Sequence, residues 1–312
     1  MQEQKQNTGK HIAFLFSAYT DAQHLIRLID HLPDHSHFYI HIDKKSDVEP
    51  FLPLEARANV TFIADRTAVY WGNISQVEYQ MKLFRAALQS NHQYDYLCTL
   101  SGMEYPVWSK EKITDYFANQ SGTNILKGIC LCDQEIASRG YRIYRPFAHK
   151  PWANKTMKNR IRVILRHLLS PILHKPLTFH ANGKTYRLYK GSDWFAIRPD
   201  LARYILDTWD SSPQLRQYFR SSFAPSETFV HTVAFNSIYA SSCMEIRGEY
   251  ESLSSLTPLT YFKYGKTIKI LTEADYADIL SSGKMFCRKV VSGESNHLMD
   301  MLDIVNSTSS ES

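Results

Sequence analysis

The residues with chemistry to offer are few, and one of them opens a helix. In "APSETFVHTVAFNS" (224–237), Glu227 follows Pro225 and Ser226 and precedes Phe229, Val230, Val233 and Ala234 at helical spacing. Proline at a first helical position and acid in the first turn are ordinary helix-start residues. A carboxylate fixed there is also what a general base needs, since geometry comes before pKa in that role. These residues alone leave both readings open. His231, four residues on along the same face, suggests a metal pair, but no further ligand occurs in the motif.

Other acids come in pairs. Asp47/Glu49, Asp133/Glu135 and Glu273/Asp275 are near-variants of the two-aspartate arrangement that holds a divalent ion. The first lies in a polar loop, and the last follows Thr272 at a helix-cap position. Asp133/Glu135 has no such simple explanation. The five cysteines (Cys98, Cys130, Cys132, Cys243, Cys287) include only one C-x-C, so free thiols are expected rather than a zinc site. There is no G-x-G-x-x-G, Walker loop or G-x-S-x-G.

The elements that must position these residues are legible from periodicity. "HIAFLFSA" (11–18), "FYIHID" (38–43), "NVTFIA" (59–64) and "YDYLCTLS" (94–101) read as strands. Between them, Leu25, Leu28, Ile29 and Leu32, and then residues 73–89, read as helices. A helix at about 110–118 and a strand "NILKGI" come next. This alternation predicts an α/β fold with a mostly parallel, doubly wound sheet flanked by helices. Ligands of such sheets bind at the carboxyl ends of strands, which marks Ser17, Asp43, Tyr70 and Ser101 by position. "GSDWFAI" (191–197) reads as a strand and "RPDLARYILDTW" as a helix. The 155–175 helix carries Ile161, Ile164, Leu165, Leu168, Leu169 and Ile172 on one face, with Lys158, Arg162 and Arg166 elsewhere. A core-facing helix with a solvated basic side is the expectation, and a membrane-surface helix the alternative.

Length and composition set the class. The 312 residues suffice for one large domain with a substantial core. Net charge is +5, a mild excess that fits an anionic ligand or membrane surface and falls short of a nucleic-acid stripe. No apolar stretch is long enough to span a membrane. The polar start "MQEQKQNTGK" lacks a signal peptide's apolar run. The expected location is therefore cytoplasmic, with peripheral contact to the inner membrane through the 155–175 helix.

The ordered set resembles a known family. "IAFLFSAYTDAQHLIRLI", "FYIHIDKKSD", "VYWGNISQVEYQMKLFRAAL", "YDYLCTLSGMEYPVWS", "GSDWFAIRPDLARYIL", "APSETFVHTV" and "TIKILTEADYADILSSGKMFCRKV" are similar to the core-2/I-branching β-1,6-N-acetylglucosaminyltransferases and peptide O-xylosyltransferases (glycosyltransferase family 14). The match covers roughly residues 11–290, and the short N-terminus looks like a bacterial member's. The resemblance implies a GT-A-like nucleotide-sugar transferase fold in one domain over 11–305. Residues 11–130 would form the nucleotide-sugar-binding half and 131–305 the acceptor and catalytic half. A polar tail at 1–10 and a disordered tail at 306–312 flank it.

The chemistry implied by the resemblance is an inverting, metal-independent transfer of GlcNAc or xylose from a UDP-sugar to a glycan hydroxyl, in bacterial surface polysaccharide synthesis. Glu227 matches the family's catalytic glutamate. The acid usual before it is here Ser226, which leaves no like charge directly beside the base. On the donor side, Ser17 would offer backbone contacts, Asp43 would meet the uridine and Tyr70 would lie near the nucleotide. Lys289 matches the basic position that neutralises the leaving diphosphate; Arg288 is adjacent and free to face the other way. Lys269, with Lys266 its competitor, is a second basic candidate. Acceptor contacts fall on Glu135, Arg139, Arg142, Asp193 and Trp194, the last as a sugar-stacking face or as core. His231 is then a neighbour of Glu227 or an acceptor contact. A non-catalytic binding protein of the same fold and a metal-dependent transferase are the competing readings.

Overall fold

Buried apolar runs form the central sheet because both of its faces are covered. The computed structural model describes residues 11–152, 156–265 and 267–308. The polar start at 1–10, Lys266 and the first residue of the 155–175 helix lie outside the described residues. β1 (Ile12–Ala18), α1 (Ala22–Asp30), β2 (His37–Ile42), β3 (Val60–Phe62), α2 (Ser75–Gln89) and β4 (Tyr96–Ser101) keep the expected alternation. They are followed by β5 (Glu104–Pro106), α3 (Lys110–Ala118), β6 (Lys127–Cys130), α4 (Glu135–Ser138) and α5 (Met157–Leu169). Next come β7 (Thr178–Ala181), β8 (Lys184–Arg187), β9 (Tyr189–Gly191), β10 (Ala196–Ile197), α6 (Pro199–Ser211), α7 (Pro213–Arg220) and α8 (Ser226–Phe235). The chain continues through β11 (Met244–Glu245), β12 (Thr260–Phe262), α9 (Tyr276–Ser281), β13 (Phe286–Arg288) and α10 (Asn296–Thr308).

The main sheet has the order β10-β4-β1-β2-β3, parallel except for β10 at the edge. Alternation along β1 sends Ala13 and Leu15 into one core with α2, α6 and α8, and Phe14 and Phe16 into another with α1 and α3. Register aligns Ser17 with both His41 and Ser101, and the Asp43 amide donates to the Ala18 carbonyl at 2.9 Å. Three strand ends therefore share one rim, the edge where open parallel sheets bind ligands.

Two small sheets finish the rim. β11-β6-β9 lies under α8, and β12-β13-β5 carries the C-terminal segment to it. α8 is buried from Thr228 to Phe235. It approaches β9 so closely that a Cβ on Gly191 would collide with the His231 ring and the Lys127 carbonyl.

Several expectations need correction. "GSDWFAI" is not one strand: β9 belongs to the sheet of β6, and β10 to that of β4, with Ser192–Phe195 crossing between them. The Thr99 hydroxyl pins this crossing, donating to the Asp193 carbonyl at 2.7 Å and accepting from the Phe195 amide at 3.1 Å. The 155–175 helix is not core-facing, because α5 contains no buried residue. α10 runs through Asn306 to Thr308, so the tail read as disordered from Asn306 is helical that far, and 309–312 lie outside the described residues.

Candidate active site

A cleft of about 430 Å³ opens at the strand-end rim. Ser17 and Ala18 from β1, Asp43 and Lys45 after β2, Trp71, Ser101, Asp193, Trp194 and Arg288 line it. Asp43 is buried. Its Oδ1 accepts from the amides of Lys45 (2.9 Å) and Val69 (3.2 Å), and its Oδ2 meets Lys45 Nζ at 2.8 Å. Lys45 also donates to the Val69 carbonyl and stands 4.5 Å above the Tyr70 ring.

Arg288 is a second cation of the cleft lining, after Lys45. Register in the small sheet sets it against Glu104, a fully buried carboxylate. Its Nη1 meets Glu104 Oε1 at 2.5 Å and also donates to the Ser101 hydroxyl, while the guanidinium stacks 4.7 Å above Trp194. Arg288 Nε has no partner among the described residues. A planar cation held on one side and unsatisfied on the other is equipped for a phosphate oxygen.

Glu227 stands just beyond Asp193. The Ser226 hydroxyl donates to Asp193 Oδ2 at 3.2 Å, and Glu227 forms an ion pair with Lys190 of β9. Lys190 is buried and donates to the Tyr141 hydroxyl at 2.8 Å. Burial opposes its charge, yet Glu227, Tyr141 and Tyr250 hold the ammonium above its ordinary range. Glu227 has no acid next to it in sequence, but Asp193 lies close to it in space. Asp193 is pushed up to about 7, first by burial and then by the charge of Glu227, against the opposing Ser226 hydroxyl, Arg288 and Lys190.

The remaining predicted residues divide. Trp194 is both core and lining: it packs on Phe262 at 5.5 Å and shows an edge to the cleft beneath Arg288. Tyr70 faces a second cavity, on the other side of Trp71. Lys269 forms a two-oxygen pair with Asp275 (2.8 and 2.8 Å), the acid of a capping box. Lys289 lies next to Arg288 but outside the cleft lining, its backbone tied to Leu271 and Lys269. Glu135 and Arg139 are exposed and pair with each other at 3.1 Å. Arg142 is exposed and bonds Ser138 at 3.3 Å, and Asp133 meets Arg187 at 2.5 Å. His231 is no acceptor contact: it is fully buried against Phe195 and pushed down to about 3, by burial and then by Lys190.

Lys190, Tyr141, Lys45 and Glu104 went unread in the sequence. Lys190 had a signal, being a lysine between apolar "LY" and "GSDW". Glu104, in "GMEYP", had none without its strand partner.

Comparison with known proteins adds the family. The family model described as "Core-2/I-Branching enzyme" matches residues 12–264. Xylosyltransferase oxt of Drosophila melanogaster is 26% identical over 75% of this chain and 25% of its own length. Human xylosyltransferase 2 is 25% identical over 64% of this chain and 21% of its own length. The chain thus spans about a quarter of the length of these relatives. Among solved structures, glucosyl-3-phosphoglycerate synthase of Mycobacterium tuberculosis aligns at TM-score 0.37 and 12% identity over 76% of this chain and 69% of that one. That likeness is too distant to bear on substrate or mechanism. With more than half its residues matched by the family model, the chain belongs to the core-2/I-branching enzyme family.

Proposed function

We propose that this chain is an inverting glycosyltransferase that moves a sugar from a UDP-sugar to a glycan hydroxyl without a divalent metal. The observation that carries the reading is a cleft lined by Asp43 with Ser17, by Arg288 anchored on buried Glu104, and by Asp193, with Glu227 just outside that lining, next in sequence to the Ser226 that bonds Asp193. The nucleoside end of the donor lies toward Ser17 and Asp43, and its diphosphate toward Arg288. Glu227 takes the acceptor hydroxyl's proton as that oxygen attacks the anomeric carbon from the face opposite the nucleotide. The bond between the anomeric carbon and the diphosphate oxygen breaks, its electron pair stays on that oxygen, and Arg288 stabilises the charge as it develops.

Xylose is the preferred donor sugar, from the names of the relatives, with N-acetylglucosamine second. The metal-independent reading is supported by a protein cation at the rim: Arg288, anchored on Glu104, offers the leaving diphosphate a fixed positive charge, while Asp133 and Glu135 each pair with an arginine. UDP release from UDP-xylose and from UDP-N-acetylglucosamine, each with and without EDTA, tests the proposal. Turnover retained in EDTA is expected. Loss of turnover in EDTA overturns the metal-independent step, and no release from either donor overturns the transfer itself.

A further inference from the structure

The second cavity, of about 250 Å³, shares Trp71 with the donor cleft. Its charged lining is Arg145, Arg162 and Arg166, and Phe223 and Trp152 supply aromatic walls. Among the described residues no carboxylate pairs with any of the three. Arg145 lies 4.4 Å above the Phe223 ring with its buried Nε unpartnered. Arg162 donates to Asn159, and Arg166 reaches the ring of His167 at 3.4 Å. Arg145 is pushed down to about 10, first by burial and then by the charges of Arg166 and Arg162. Three guanidinium groups converging without a counter-charge suit the oxygens of a phosphate.

Two of those arginines come from α5, and the same helix explains which phosphate. Met157, Ile161, Ile164 and Leu168 form an exposed stripe along α5, continued by Ile172 and Leu173. Leu168, in the middle of this stripe, is 65% exposed. An apolar stripe on one side of a helix, with basic residues on the other, is the pattern of a helix lying in a membrane interface. We infer that α5 and the arginine cavity seat the protein on an anionic lipid surface, with a headgroup phosphate among Arg145, Arg162 and Arg166 and acyl chains against the stripe. Charge complementarity selects lipid over a second copy of this chain, which is itself basic on this face. Since Trp71 separates the two cavities, the donor cleft then opens beside the membrane surface.

Co-sedimentation of the full chain with vesicles tests this. One set is phosphatidylcholine alone, and the other is equal parts phosphatidylcholine and phosphatidylglycerol. The expected result is binding to the second set only, weakening as salt rises. Arg162→Glu with Arg166→Glu should cut partitioning at least about tenfold, because each arginine near such a surface is worth about fivefold. Ile164→Asp with Leu168→Asp should abolish binding. Both pairs lie on a helix with no buried residue, so circular dichroism and UDP release in vesicle-free buffer should be unchanged. That second readout keeps failure here distinct from failure of the proposed transfer. Equal binding to both vesicle sets, or charge-reversed protein that binds like the original, overturns the inference. So does an Ile164/Leu168 variant that still binds vesicles while its particle mass halves, which would make the stripe an interface between copies. Protection of the arginines by inorganic phosphate with no vesicle binding would overturn it in favour of a free anion.

Discussion

The donor rim and the surface of residues 133–175 are both rich in charge, but they use it in opposite ways. At the rim each charged group is held by fixed partners: Asp43 by two amides and Lys45, Arg288 by buried Glu104 and by Ser101, Glu227 by buried Lys190. On the outer surface Glu135 and Arg139 answer only each other, and the arginines around α5 answer no acid among the described residues. Sheet register and burial fix the first set before any ligand arrives. The second set has no such anchoring acids, although Arg145 is partly buried. Orientation by fixed neighbours, not density of charge, distinguishes the rim from the outer surface.

Substitutions at the rim should break this contrast most visibly. Glu227→Gln should lower transfer by about 10²–10⁴-fold, the usual worth of a general base, while UDP affinity stays near normal. Near-normal turnover would remove the base assignment. Glu104→Ala leaves the Arg288 charge half-buried and unpaired, a loss of roughly 3–5 kcal/mol in stability, read by denaturant unfolding. A smaller stability change with intact UDP inhibition would mean that Arg288 needs no anchor. Arg288→Ala should weaken UDP inhibition and turnover together, more than Lys289→Ala does. The reverse ranking would return the phosphate role to Lys289.

Asp193 sharpens the contrast through pH. Its folded pKa lies above its unfolded value, so its contribution to stability is full below the unfolded pKa of about 4. That contribution is lost as pH rises toward about 7. Asp193→Asn should flatten the fall in thermal midpoint across that window, and an unchanged slope would assign the fall elsewhere. Smallest of all, Glu135→Ala with Arg139→Ala should move stability by less than about 1 kcal/mol, as exposed pairs do, and leave UDP release untouched. A large loss of release would place that pair in the site after all.

How far the sequence could be read respects the same divide. Strand ends were legible because apolar runs and their stops are local, and so Ser17, Asp43 and Ser101 could be placed at the cleft by position, while Glu227 was legible as a helix start. The choice between Arg288 and Lys289 was not local. It depends on β13 setting Arg288 opposite Glu104, a residue 184 positions away. The pairing of Lys269 with Asp275, the acid that caps a helix start, is a contact visible only in three dimensions. Periodicity located α5 but could not say which medium its apolar side meets. The Asn182–Gly183 turn between β7 and β8, with both residues at positive φ, was legible and overlooked.

The indole of Trp71 is 78% exposed and borders both cavities. Its emission therefore depends on what occupies either side. Difference spectra between the native chain and Trp71→Phe give an optical signal for nucleotide on one flank and phosphate on the other. Titrating one ligand against the other would then report, in light, whether the two cavities fill independently.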